Sequence, residues 1–288
     1  MAAVPDERSV AMCRILLRLQ LRRYREARGM SASSVAKRFG WSIARMTRLE
    51  TSNNVVEMGD VRLLCDLYEV PAGQRDELEG YALITKTRKD WWETAPFKGA
   101  VPAWFSAFLG LESAADSICM YQGEFVPGLL QSPDYALAIL RLSGADDKKI
   151  ELNAEVRMKR QSILTRTDYA PAVSVVLNEA VLRRPVGGAD VMRKQLNSIA
   201  AVAQLPNVTV RVLPFHVGEH PGMHGPFQVL TFPDSSVEDL AYVENLVDAG
   251  VITQPELVDA FKASHEQLSG LALSEAESLD MLNEAAQG

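Results

Sequence analysis

Cysteine is scarce. Cys13, Cys65 and Cys119 are the only three in 288 residues, and they form no CxxC pair. An odd number at such wide spacing argues against a disulfide framework and against a cysteine-rich zinc site, and it fits a reducing compartment. Long apolar runs are missing too. No stretch approaches the roughly 20 residues that cross a bilayer, and the first apolar segment, Ile15-Leu16-Leu17, is hemmed by Arg14 and Arg18, so no signal-peptide core is expected. A cytoplasmic protein that does not enter membranes is the expectation. Hydrophobic residues at 47% and charged residues at 23% leave room for real cores and exclude wholesale disorder or a fibrous repeat. The length suggests two folded units.

Recognisable catalytic and metal motifs are likewise absent. His216, His220 and His224 recur every four residues, as a metal site on a helix would require, but Gly218, Pro221 and Gly222 break any helix there. His265-Glu266 begins a zincin-like HExxH whose second histidine position is Ser269. Ser34-Val-Ala-Lys37 matches S-x-x-K by count alone, with Val35 and Ala36 at core positions of a helix. The Val186-Gly-Gly188 run has neither the GxGxxG nor the Walker A pattern, so it reads as a turn and helix entry. No metal, no cofactor and no catalytic residue is expected.

What is present is a strong segregation of charge. Residues 1–70 carry 12 basic and 8 acidic side chains, net +4, whereas the remainder carries 18 and 29, net −11. Within residues 14–48, ten basic side chains (Arg14, Arg18, Arg22, Arg23, Arg25, Arg28, Lys37, Arg38, Arg45 and Arg48) face a single acid, Glu26. Such asymmetry points to a polyanion partner for the basic part. Periodicity then shapes that part. Leu17, Leu21 and Tyr24 mark a helix with one buried stripe, ended by Gly29. Ser31 is placed as the N-cap of a short helix that buries Val35, Ala36 and Phe39. Gly40 ends it, and Ser42 caps a third helix that buries Met46 and Leu49. Ile43, Ala44, Arg45, Thr47 and Arg48 point outward. Val61, Leu64, Leu67 and Tyr68 carry a fourth helix, and Glu50 is expected to hold a basic side chain of the first.

The string Gly29-Met-Ser-Ala-Ser-Ser-Val-Ala-Lys-Arg-Phe-Gly-Trp-Ser-Ile-Ala-Arg-Met-Thr-Arg-Leu-Glu50 resembles the helix-turn-helix of the XRE family of phage-repressor-like regulators. The resemblance implies a five-helix, lambda-repressor-like domain on double-stranded DNA. The helix after Ser42 would lie in the major groove, with Ile43, Ala44, Thr47 and Arg48 as base readers and Ser31, Ser33, Arg38 and Arg45 on phosphates. Where the family commonly has glutamine after the Ser31 position, this chain has Ala32. A homodimer on inverted half-sites is expected, because one helix-turn-helix reads too few bases to find a single address.

Beyond Pro71 a polar helix from Gln74 to about Lys89 leads into an aromatic patch containing Trp91, Trp92, Phe97, Trp104, Phe105 and Phe108. Core packing is the ordinary use of such a patch. A partner or signal joint formed by Trp91, Trp92, Trp104 and Phe105 is the functional alternative. Helical patterns over 103–118, 133–142, 147–166, 189–204, 254–269 and 274–285 alternate with β-branched runs at 173–177, 208–213 and 227–232. An α+β domain with a small mixed sheet, packed by helices on one face, is expected. The domains read as 1–72 for DNA binding, 73–100 for a helical linker with the aromatic joint, and 101–288 for an acidic regulatory or partner-binding domain.

Seven strings in this region, Trp91-Trp92, Val101-Pro-Ala-Trp-Phe105, Val126-Pro-Gly-Leu-Leu-Gln131, Arg183-Arg-Pro-Val-Gly-Gly188, Pro206-Asn-Val-Thr-Val210, Leu213-Pro-Phe215 and Gly225-Pro-Phe227, resemble the domain that follows the helix-turn-helix in actinobacterial WhiJ-like, toxin–antitoxin-like regulators. That resemblance implies a transcriptional regulator whose C-terminal domain binds a small protein encoded nearby. An antitoxin-like interaction module and an enzyme with an unrecognised C-terminal active site are the alternatives.

Overall fold

The computed structural model describes residues 9–51, 55–167, 170–232, 237–244 and 249–287, with backbone alone at 103, 104 and 249. The chain forms two compact units, one of residues 1–114 with a short contribution from 234–237, the other of 115–233 and 238–288.

The first unit is helical: α1 (Val10–Ala27), α2 (Ala32–Phe39), α3 (Ile43–Thr51), α4 (Met58–Tyr68), α5 (Ala72–Thr87) and α6 (Ala103–Ala114). α1 lies at its centre and packs against α3, α4, α5 and α6. Its stripe of Leu16, Leu17 and Leu21 is fully buried with Val35, Met46, Val61, Leu64, Tyr68, Leu78 and Tyr81. Burial of an aliphatic side chain of this size stabilises by about 1.5–3 kcal/mol, and the i, i+4, i+7 spacing delivers several to one face. The expected caps are in place. Ser31 Oγ accepts from the Ser34 amide at 3.1 Å, Gly40 takes the left-handed conformation at φ 68°, and Ser42 Oγ accepts from the Arg45 amide at 3.1 Å.

The aromatic segment belongs to this helical unit. The amides of Val10 and Ala11 donate to Asp90 Oδ1 and Oδ2 at 2.8 and 2.7 Å, so a residue far along the chain satisfies two open donors at the start of α1. Burial nonetheless raises the Asp90 carboxyl above its ordinary pKa, outweighing the two amides that favour its ionised form. Trp92 is buried beside Ala11 and Leu109, with Trp91, Val101 and Phe105 around them, and its indole N–H donates to Ser106 Oγ at 2.8 Å. α6 and α1 approach so closely that a Cβ on Gly110 would lie 2.3 Å from the Ala11 methyl, a distance that only glycine avoids.

The second unit is built on a six-stranded sheet of β1 (Ser117–Gln122), β2 (Ala172–Asn178), β3 (Val208–Leu213), β4 (Phe227–Thr231), β5 (Leu240–Glu244) and β6 (Ala249–Ile252), in the order β3-β2-β1-β4-β5-β6. β1, β2 and β3 run parallel. β4 pairs antiparallel with β1, and β5 and β6 continue antiparallel. The helices are α7 (Pro133–Arg141), α8 (Asp147–Arg160), α9 (Glu179–Arg183), α10 (Ala189–Val202), α11 (Pro255–Leu271) and α12 (Glu275–Gln287). α11 covers the face that carries Tyr121, Val176, Phe227, Val229 and Ala241.

Three expectations are corrected here. The helix expected over 103–118 stops at Ala114, and Ser117–Gln122 is instead the central strand. With neighbours on both edges and its side chains largely buried, this strand lacks the alternation that would have revealed it. The helix expected over 147–166 ends at Arg160 and tightens into a 3-10 turn, Gln161–Thr165. The sheet is buried on both faces rather than packed on one. Opposite α11, the side chains of Ile118, Met120, Val175, Leu177, Val212 and Leu230 are 0% exposed. β5, β6 and α9, of 5, 4 and 5 residues, were too short to declare themselves in the sequence.

Candidate nucleic-acid interface

α3 packs against α1 and α2, and its outer face is open. Met46 and Leu49 anchor it to the core. The Arg25 guanidinium of α1 grips Glu50 through Nε and Nη2, at 2.6 and 2.9 Å, with both side chains under 10% exposed. Glu50 therefore holds a basic side chain of the first helix, as its position in the sequence suggested. With that side fixed, Ile43, Ala44, Thr47 and Arg48 are all exposed, and Ile43 is 63% exposed although it is a large aliphatic residue. These four side chains form one contiguous surface.

The four residues expected on phosphates have different fates. Ser31 caps α2, and its hydroxyl also lies 2.9 Å from that of Ser33. Arg38 is exposed in the last turn of α2. Arg45 is already engaged, with Nη2 at 2.9 Å from both carboxylate oxygens of Asp60 and the guanidinium 4.4 Å from the Trp41 ring centroid. Trp41 is a functional candidate that sequence reasoning missed, and the signal was an aromatic residue directly between the capping pair Gly40 and Ser42.

Half of the basic run is ion-paired within the fold. Arg14 pairs with Glu93, Arg22 with Glu26, Arg25 with Glu50, Arg28 with Glu69 and Arg45 with Asp60. Arg18 is buried, its Nε donating to the Arg14 carbonyl at 3.0 Å, and this desolvation lowers its pKa. Among the described residues, Lys37, Arg38 and Arg48 are exposed and make no ion pair. All three lie on the last turn of α2 or on α3. These exposed cations without an ion pair therefore centre on the helix-turn-helix, a narrower set than the ten side chains suggested.

The residues expected at a joint lie in the first unit. Trp92 is buried and Trp91 is partly buried, meeting Trp92 and Phe97 edge-on at 5.2 Å. Phe105 stacks on Phe108 at 5.8 Å. The side chain of Trp104 falls outside the described residues. His216 sits in one 3-10 turn and His224 in another, with Gly218 at φ 73° between them. Among the described residues, no group of three or more His, Cys, Asp or Glu side chains is placed to hold a metal, and no helix is long and apolar enough to cross a membrane.

Comparison with known proteins accounts for both units. Residues 16–78 match a helix-turn-helix domain, the architecture of DNA-binding regulators. No curated protein and no solved structure matches the chain. Residues 105–284, more than half of the sequence, match a domain of unknown function, DUF5753. The chain thus belongs to the DUF5753 family and carries a helix-turn-helix domain ahead of the domain that defines it.

Proposed function

We propose that the protein is a sequence-specific transcriptional regulator of the XRE, WhiJ-like type, acting in the cytoplasm as a homodimer on inverted DNA half-sites. The observation that carries this reading is the open face of α3. Ile43, Ala44, Thr47 and Arg48 are held outward by two capped helix starts and by the buried Arg25–Glu50 pair, with Lys37 and Arg38 at the adjoining helix end. Arg48 supplies a fork that matches guanine O6 and N7, and Ile43 and Ala44 supply apolar contacts for a thymine methyl. The acidic second unit is a receiver that binds a small protein encoded nearby and performs no catalysis. In this reading Trp91, Trp92 and Phe105 belong to the segment that passes the signal on.

The test is a gel shift on the DNA upstream of the protein's own gene, repeated across salt concentrations. Two unpaired cations outside the reading positions, Lys37 and Arg38, on each copy of a dimer predict a fall of log K with log salt at a slope of about −3.6, since each neutralised phosphate contributes about −0.9. A slope near zero would remove DNA from the account. A companion variant isolates Arg45. Asp60→Asn releases its guanidinium, and affinity for random duplex is expected to rise while the slope steepens by about one unit per copy. An unchanged slope would mean that Arg45 stays on Trp41 and meets no phosphate.

A further inference from the structure

One edge of the sheet in the second unit is built unlike the rest. The carboxyl ends of β1 and β2 and the start of β4 meet there, where the partner of β1 changes from a parallel to an antiparallel strand. The strand order also reverses at β1, with β2 and β3 on one side and β4 on the other, and open sheets take ligands in the crevice beyond the carboxyl ends of their strands at such a reversal. Two cavities of about 340 and 330 Å³ open at this edge, sharing Gln122, Phe125 and Pro226 as common walls. Their size lies in the range of small-molecule sites.

Three polar atoms at this edge are unsatisfied. Gln122 ends β1 and Gln228 is the second residue of β4. They are 8% and 9% exposed, and the Oε1 of each has no hydrogen-bond partner. Gln228 is registered opposite Met120, so the two carboxamides stand on one face of the sheet, as diagonal neighbours about 7–8 Å apart at their backbones. His220, on the wall of the first cavity, likewise leaves a buried Nδ1 without a partner. Eight buried side-chain atoms of the described residues lack a partner, and three of them gather at this edge, a clustering that points to an occupant.

The walls define its chemistry. Phe125, Phe227 and Tyr242 give the second cavity aromatic surfaces, and Glu244 adds a carboxylate that lies 3.4 Å from the Tyr242 hydroxyl. Among the described residues no Lys or Arg lines either cavity. Arg157 is a cation within electrostatic reach of Glu244, and it donates a hydrogen bond of 2.5 Å to Gln131 Oε1. Amide oxygens and a carboxylate accept hydrogen bonds, and aromatic faces attract cations and flat rings. At the mouth of the first cavity, a Cβ on Gly222 would lie 2.3 Å from the Tyr121 ring, so glycine lets the turn close against that ring.

We propose that this edge is the binding site for a small nitrogenous compound, an amine carried on a flat apolar body, whose N–H groups donate to Gln122 and Gln228 while its ring lies among Phe125 and Tyr242. The site stands whether or not the first unit reads DNA, and its test uses the full-length protein without DNA.

Tryptamine is the probe, with indole-3-acetate as the anion of matched shape. Calorimetry is expected to give tryptamine a dissociation constant below about 1 mM, with indole-3-acetate at least about tenfold weaker. Gln228→Leu and Gln122→Leu should each weaken tryptamine binding by about tenfold or more. In the ligand-free protein the Gln228→Leu variant should keep or raise Tm, because an unpaired buried oxygen is removed and nothing is broken. No tryptamine binding at about 1 mM, equal binding of the amine and the anion, or binding that survives both leucine variants would each overturn the proposal. The contrast between amine and anion is read on the unmodified protein, so it decides even if a variant does not fold.

Discussion

Replacing Arg48 by alanine is expected to weaken binding to the specific DNA site by about 1–3 kcal/mol, roughly five- to 150-fold, while binding to random duplex changes little. The asymmetry follows from where the side chain stands. Arg48 is exposed on the outer face of α3 and, among the described residues, has no acidic partner to lose. The two acids that could have claimed it from the sequence are taken, Glu50 by Arg25 and Glu57 by Lys86. Truncation should therefore leave the fold intact and remove only what the guanidinium does for DNA. Arg48→Lys keeps the charge and loses the planar fork, so it should leave affinity for random duplex unchanged and restore discrimination only in part. Competition binding against sites altered at single base pairs provides the measurement. Equal losses on specific and random DNA would make Arg48 a phosphate contact and not a reader.

The second large effect lies beneath the open face of α3. Glu50→Ala should destabilise the helical unit by about 3–5 kcal/mol, because it strands the guanidinium of Arg25, whose side chain is 9% exposed, without its counter-charge. Arg25 would retain only the Met30 carbonyl, at 2.7 Å, and the exposed Glu26. For a unit of this size the loss corresponds to a fall in Tm of about 10 °C or more. The double variant Arg25→Met with Glu50→Leu should recover most of it, since both buried charges disappear together. Calorimetry on the three variants separates the outcomes. A Glu50→Ala protein that melts with the wild type would show that the pair positions α3 without stabilising it.

The legible parts of this molecule were those governed by local chemistry. Ser31, Gly40 and Ser42 could be assigned because a cap is decided within four residues, and Met46 and Leu49 because a helix repeats its buried face every three to four. Long-range pairing was not legible. Arg14 meets Glu93 and Arg45 meets Asp60, 79 and 15 residues away, so the basic run looked more available than it is. The same limit hid the cavity edge. Ser117-Ile-Cys-Met-Tyr-Gln122 becomes a strand only because β2 and β4 come to lie on either side of it, and without that strand nothing connects Gln122 with Gln228.

The strand order also governs how the chain can be made. The helices of the first unit find the partners described for them within residues 10–114, which are synthesised before the sheet. β1 has to wait. Its first residue is registered with Ala172 on one side and with Thr231 on the other, where the two hydroxyls meet across 114 residues. On the ribosome, the DNA-reading helices can therefore be complete while the central strand of the sheet still has a bare edge, the condition in which chains pair with one another. That interval, more than the finished protein, is when the chain is most exposed to aggregation. A fragment ending before β4 would prolong it indefinitely.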